Sequence, residues 1–210
     1  MDETNVLIIG AYTAFAFGIL YVIFKMKSRA RQRYEELAPR FGGTANIPKV
    51  FFGGSPSLEA IYRRRRLKIF EYAKGAGNSR RTYTAVEVAV SNSTNLGFTI
   101  RKRGFLTRWL MRWRASEVQT GDLVFDDLFV IKGSDGDLLQ QVLTPTVKGQ
   151  LIKQAEAHVR FDMRLKGDTL RNNLRGSLAR NKVYEVLPTL VDSMNDLADQ
   201  LAAVQGFSKR

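Results

Sequence analysis

Nineteen consecutive residues near the N-terminus, Val6 to Phe24 (VLIIGAYTAFAFGILYVIF), carry no charge. As an α-helix at about 1.5 Å per residue this run spans roughly 28 Å, close to the hydrocarbon thickness of a bilayer. A helix packed in a soluble core would show a polar face over this length. Here Tyr12, Thr13 and Tyr21 supply the only side-chain hydroxyls. A cleaved signal peptide would place its cations ahead of the apolar stretch and small residues behind it. The order is reversed: Asp2 and Glu3 come first, and Lys25, Lys27, Arg29, Arg31 and Arg33 follow. The expectation is an uncleaved single-pass anchor in a cell (inner) membrane. The cations keep its C-terminal side cytoplasmic and leave the N-terminus outside.

Two segments follow from this: residues 1–42 as transmembrane anchor and basic juxtamembrane helix, and residues 43–210 as one cytoplasmic domain. Hydrophobic residues make up 44% of the chain, enough to build a core. The helix after the anchor, KMKSRARQRYEELAPRF, is expected to stop at Gly42-Gly43 and to serve as a stalk at the membrane surface. Beyond it the predicted fold class is α+β, an antiparallel sheet of six to eight strands with helices over one face.

The sheet begins with a short segment at Pro48–Gly54 and a hairpin, SLEAIYR and RLKIFEYAK, around Arg64-Arg65. TYTAVEVAV (Thr82–Val90) and FTIRKR (Phe98–Arg103) are the next strands. Four or five strands in succession suggest a meander or half-barrel. Phe105–Arg114 admits helix or strand. Leu128–Lys132 reads as a strand between two turns, and residues 136–157 as helix interrupted at Thr144-Pro145. HVRFDMRL and TLRNNLRGSL form a hairpin turning at Lys166-Gly167-Asp168. The last helix, about Ala179–Val204, carries Val183, Leu187, Leu190, Met194, Leu197, Leu201 and Val204 at heptad spacing. That seam suits docking on a sheet or pairing with a second chain, and Pro188 should kink the helix or mark its start.

The formal net charge is +13, and residues 25–40, 63–81 and 101–114 together carry +17. The cationic excess thus lies in the first half of the chain and points to an anionic partner. The expected lipid- or anion-binding residues are Arg63, Arg64, Arg65 and Arg66 at the hairpin tip, with Arg101, Lys102, Arg103, Arg108, Trp109, Arg112, Trp113 and Arg114. Arginine interleaved with tryptophan suits the head-group depth of a membrane interface. The plainer alternative is a solvated face with both tryptophans in the core. A nucleic acid would use the same cations and aromatics for stacking, but no recognition-module sequence is present.

Evidence for catalysis is thin. With no cysteine, disulfides, thiolate nucleophiles and cysteine-ligated zinc are excluded. His158 is the only histidine, and no serine sits in a nucleophile-elbow sequence. Asp122, Asp126, Asp127, Asp135 and Asp137 lack the spacing and terminal glutamate of a calcium loop, so helix caps and turns account for them. Lys74-Gly75-Ala76-Gly77-Asn78 lacks the Walker spacing and reads as a hairpin turn. No cofactor is expected.

The run GDLVFDDLFVIKGSDGDLLQQVLTPTVKGQL (Gly121–Leu151) resembles a group of bacterial single-pass membrane-anchored proteins with no established activity. They share G-D-x-x-F-D-x-x-F-x-V and a later L-T-P. Gly121, Asp122, Phe125, Asp126, Phe129, Leu143, Thr144 and Pro145 match, and Ile131 replaces the usual valine. The resemblance implies architecture and a bacterial setting only. The functional expectation is a non-catalytic binding or scaffold module with its basic surface near anionic phospholipid head groups. The alternative is a protein–protein adaptor of an envelope complex, with a protein partner or self-association through residues 183–204. An enzyme with an unrecognised site comes third.

Overall fold

A computed structural model describes residues 3–48, 54–92, 94–104, 117–157 and 161–207, with side chains from Tyr12 to Val204. The chain begins with one uninterrupted helix, α1 (Glu3–Arg40), 38 residues long. It ends where Phe41 N donates to Leu37 O and Gly42 N to Pro39 O, with Gly42 at φ +64°. Gly42 is the left-handed residue that commonly closes a helix. Gly43 then starts β1 (Gly43–Asn46). A Cβ there would collide with the Glu59 carbonyl oxygen, so only glycine lets the strand lie this close.

Among the described residues eight strands form one sheet in which every pairing is antiparallel. After β1 come β2 (Ser57–Tyr62), β3 (Arg65–Lys74), β4 (Arg81–Ala89) and β5 (Phe98–Lys102), then β6 (Phe129–Gly133), β7 (Asp162–Lys166) and β8 (Thr169–Arg175). Their order across the sheet is β1-β2-β3-β4-β8-β7-β5-β6. The expected meander therefore holds only to β4. The β7–β8 hairpin inserts between β4 and β5, with Val86 opposite Asn172 and Ile100 opposite Met163. Alternating residues on the strands, such as Leu67 and Ile69, Val86 and Val88, or Leu170 and Leu174, are buried on one face. The period-two burial is that of an antiparallel sheet covered on one side.

The covering layer is helical. α2 (Leu123–Leu128) is a short helix where the sequence suggested only a turn, because Asp122 accepts hydrogen bonds from the amides of Val124 and Phe125 and nucleates it. α3 (Gly136–Val142) and α4 (Pro145–Ala157) divide at Thr144-Pro145 as expected, and Asp135 caps α3 through the Leu138 amide. α5 (Asn181–Phe207) begins seven residues before Pro188 and continues past it, so the proline does not mark the start of the helix. Every seam residue from Val183 to Leu201 is buried, so the heptad stripe is the face that docks on the sheet. The expected strand at Pro48–Gly54 and the ambiguous Phe105–Arg114 fall largely or wholly outside the described residues.

The expected division at residue 42 falls inside this core. Ala30, Tyr34, Leu37, Ala38 and Phe41 of α1 are buried, and all but Ala30 join the same cluster as Leu58, Leu67 and Leu187. Their spacing places them on one helix face, a stripe interleaved with the arginines read as a stalk.

Candidate functional site

The join between α1 and the domain is made of fixed polar contacts as well as packing. The buried Arg33 guanidinium donates to Leu178 O and to Asn181 Oδ1, and lies 4.5 Å from the centre of the Tyr184 ring. Arg29 donates to the same Asn181 oxygen at 3.1 Å, and Tyr184 donates to Glu36 at 2.9 Å. Burial raises the Tyr34 hydroxyl pKa far above its usual value, and the nearby Glu71 charge adds to this. Glu71 itself is pushed up by burial, against two hydrogen bonds to its carboxylate from Leu178 N and Ser177 Oγ.

These contacts order the molecule along one axis. α1 meets the first turn of α5 at two successive levels: Arg29 donates to Asn181, and Tyr184 donates to Glu36. Farther on, Phe41 packs edge-on against Tyr62 with centroids 5.3 Å apart, and Tyr62 donates to Asp192 at 2.8 Å. The β2–β3 tip follows, where Arg63 pairs with Asp196 and Arg65 with Asp199. From Phe24 to Phe41 the helix rises about 26 Å. The arginine tip therefore lies at the end of the domain remote from the apolar run.

At that remote end Arg63 and Arg64 form a two-residue turn with φ of 49° and 66°. Such turns ordinarily hold Asn-Gly, because a side chain is strained at positive φ. The ion pairs to α5 hold the turn, and a cleft of about 770 Å³ lies beside it, lined by Arg63–Arg66, Val90 and Asp199 among others.

The other expected site residues are dispersed. Arg101 pairs with Asp162 on the exposed surface. Lys102 donates to Ala155 O at 2.7 Å, holding α4 to the sheet. Arg103 forms a nearly enclosed pair with Glu117 at 2.8 Å and also donates to Asp126 O and Phe129 O. Lys102 thus directs its ammonium to a main-chain carbonyl, and Arg103 directs its guanidinium to Glu117 and two carbonyls. Arg108, Trp109, Arg112, Trp113 and Arg114 lie outside the described residues.

The aspartates act locally. Besides the two caps, Asp126 accepts from Thr120 N and Oγ1. Among the described residues no three His, Cys, Asp or Glu side chains form a group able to hold a metal ion.

The apolar half of α1 stands apart from this framework. Tyr12, Phe15, Phe17, Leu20, Tyr21 and Phe24 are 58–73% exposed. Among the described residues no helix is long and apolar enough to cross a membrane. Of the uncharged run, the side chains of residues 6–11 lie outside the described residues, which leaves Tyr12–Phe24.

At the same end of the domain, the β3–β4 turn and the β8–α5 turn bring Arg80, Arg81, Arg175 and Arg180 around a cleft that includes Met26. Sequence reading missed this group, since its halves are nearly a hundred residues apart.

No family model and no curated protein matches the chain. Its fold is similar to the crystal structure of the mycobacterial trehalose monomycolate transport factor A, TtfA, with a TM-score of 0.53. That likeness covers 82% of this chain and 94% of TtfA at 10% identity, and it is a likeness of fold.

Proposed function

We propose that this protein is a membrane-tethered, non-catalytic binding or scaffold module, anchored by the N-terminal half of α1 with its domain in the cytoplasm. The observation that carries the reading is the division of labour within one helix. From Ala30 onward α1 is built into the core, whereas Tyr12–Phe24 presents large apolar side chains outward. Apolar surface on that scale needs a cover. The sequence extends the uncharged stretch back to Val6, giving a length that matches a bilayer. Lys25, Lys27, Arg29 and Arg31 then fix the orientation, with the domain inside.

The fold shared with a mycobacterial trehalose monomycolate transport factor fits an accessory role of this kind in a bacterial envelope. An adaptor assembling through residues 183–204 is less favoured. The seam from Val183 to Leu201 is already in the core, and assembly would have to use the helix's outer face.

Alkaline carbonate extraction of membranes from cells expressing the full chain tests the tether. The protein should stay in the pellet and dissolve only in detergent, and Phe15→Asp with Ile19→Asp should release it. Release of the unaltered chain by carbonate alone would overturn the reading.

A further inference from the structure

We infer that the cleft formed by Arg80, Arg81, Arg175 and Arg180 beside Met26 binds the phosphate head groups of anionic lipids in the leaflet that α1 crosses. The inference rests on the tethered reading above and assigns the lipid contact to a different surface from the arginine tip.

Two tight turns build the cleft. After β3 the chain reverses through Gly75, at φ +101°, where a Cβ would meet Ser79 O at 2.6 Å. A 3₁₀ turn at Gly77–Ser79 follows, closed by Ser79 Oγ donating to Ala76 O at 2.7 Å. Arg80 and Arg81 leave this turn directly. After β8 the chain turns at Gly176, at φ +129°, whose amide donates to Thr82 O and whose carbonyl accepts from Thr84 Oγ1. A Cβ on Gly176 would crowd Val183 and the Arg180 side chain at 3.0 and 3.2 Å. These hydrogen bonds hold the β8–α5 turn against the start of β4, which brings Arg175 and Arg180 to the same cleft as Arg80 and Arg81. The resulting cleft measures about 460 Å³, ample for a phosphodiester head group.

Charge and position identify the occupant. All four arginines are exposed, and among the described residues none is paired with a carboxylate. Arg81 donates only to the carbonyls of Asn78 and Arg80, leaving its charge uncompensated. The arginines of the remote tip, by contrast, include two that are paired with Asp196 and Asp199.

Met26 lies two residues past the uncharged run, a rise of about 3 Å, within the head-group layer. Arg29 to Asn181 fixes the start of α5 at nearly the same level. The clamp of Arg33 on Leu178 and Asn181 keeps the cleft from swinging away. Arginine forks suit phosphate oxygens, and each cation at an anionic surface changes occupancy about fivefold.

Hydrogen exchange of the full chain in nanodiscs tests this inference. Discs of phosphatidylcholine alone are compared with discs containing phosphatidylglycerol, and inorganic phosphate is added to the neutral discs as a third arm. The expected result is slower exchange at residues 75–82 and 175–181 with phosphatidylglycerol only, lost in R80Q/R81Q/R175Q/R180Q. These substitutions are on the exposed surface, so an unchanged thermal midpoint should accompany the loss.

Equal protection in neutral discs, protection at residues 63–66 instead, or protection by free phosphate alone would each overturn the inference and leave the tether standing. Failure of the chain to enter discs would overturn both.

Discussion

If α1 is part of the core, the chain must lose its fold when that helix is cut where the sequence suggested a boundary. A fragment of residues 43–210 discards Tyr34, Leu37 and Phe41, which are 0, 1 and 3% exposed. At about 1.5–3 kcal/mol for each large apolar side chain buried, their loss costs roughly 5–9 kcal/mol. The two carbonyl and amide oxygens left by Arg33 add about 1–3 kcal/mol. Domains of this size are stable by about 5–15 kcal/mol, so the fragment should be unfolded or barely folded at 25 °C.

A fragment of residues 25–210 keeps every buried α1 side chain and should unfold cooperatively. Within it, Leu37→Ala should cost about 2–5 kcal/mol. Circular dichroism through a urea titration reads both effects. A 3 kcal/mol loss at a slope of roughly 2 kcal/mol/M moves the midpoint by about 1.5 M. Equal midpoints for the two fragments would refute the argument that α1 belongs to the core.

Three further outcomes follow from single contacts. Glu71 has a folded-state pKa raised above its ordinary 4.5 by burial. The folded chain then holds a proton the unfolded chain has released, so stability falls as pH rises from about 4.5 through the raised value. Glu71→Gln should flatten that slope in urea titrations at several pH values, and an unchanged slope would show that another group causes it. Arg64→Gly should stabilise the domain by about 1 kcal/mol, since glycine relieves the positive φ of the turn; a lower thermal midpoint would contradict this. Arg103→Met should cost about 3–5 kcal/mol by stranding Glu117, while Arg101→Gln at the exposed pair with Asp162 should change stability by less than about 1 kcal/mol. Comparable losses at the two positions would reject the distinction.

Local pattern made much of the fold legible. Alternation located β2, β3, β4 and β5, heptad spacing identified the buried stripe of α5, and the aspartates were legible as a group of turn and cap residues, though the helix that Asp122 caps was not. Strand order was not legible. The alternation that marks β4 and β8 as strands is the same for any neighbour, and only the packed sheet places Val86 opposite Asn172.

The α1 stripe of Ala30, Tyr34, Leu37 and Phe41 was present at helical spacing. It was obscured because Arg29, Arg31 and Arg33 already had a sufficient explanation as topology signal. The candidate cleft was hidden for a different reason. Arg80 and Arg81 were counted within a basic stretch dominated by Arg63–Arg66, yet β3 carries the two groups about 30 Å apart. Arg175 and Arg180 belong to the half of the chain that looked electrostatically quiet.

The central claim is that one helix is at once membrane anchor and core element, with the domain inside. Protease treatment of inverted and right-side-out membrane vesicles tests it most directly. The account predicts cleavage of the domain in inverted vesicles only, leaving a protected N-terminal fragment that includes residues 6–24. Digestion of the whole chain in both kinds of vesicle, or of the domain in right-side-out vesicles alone, would contradict it.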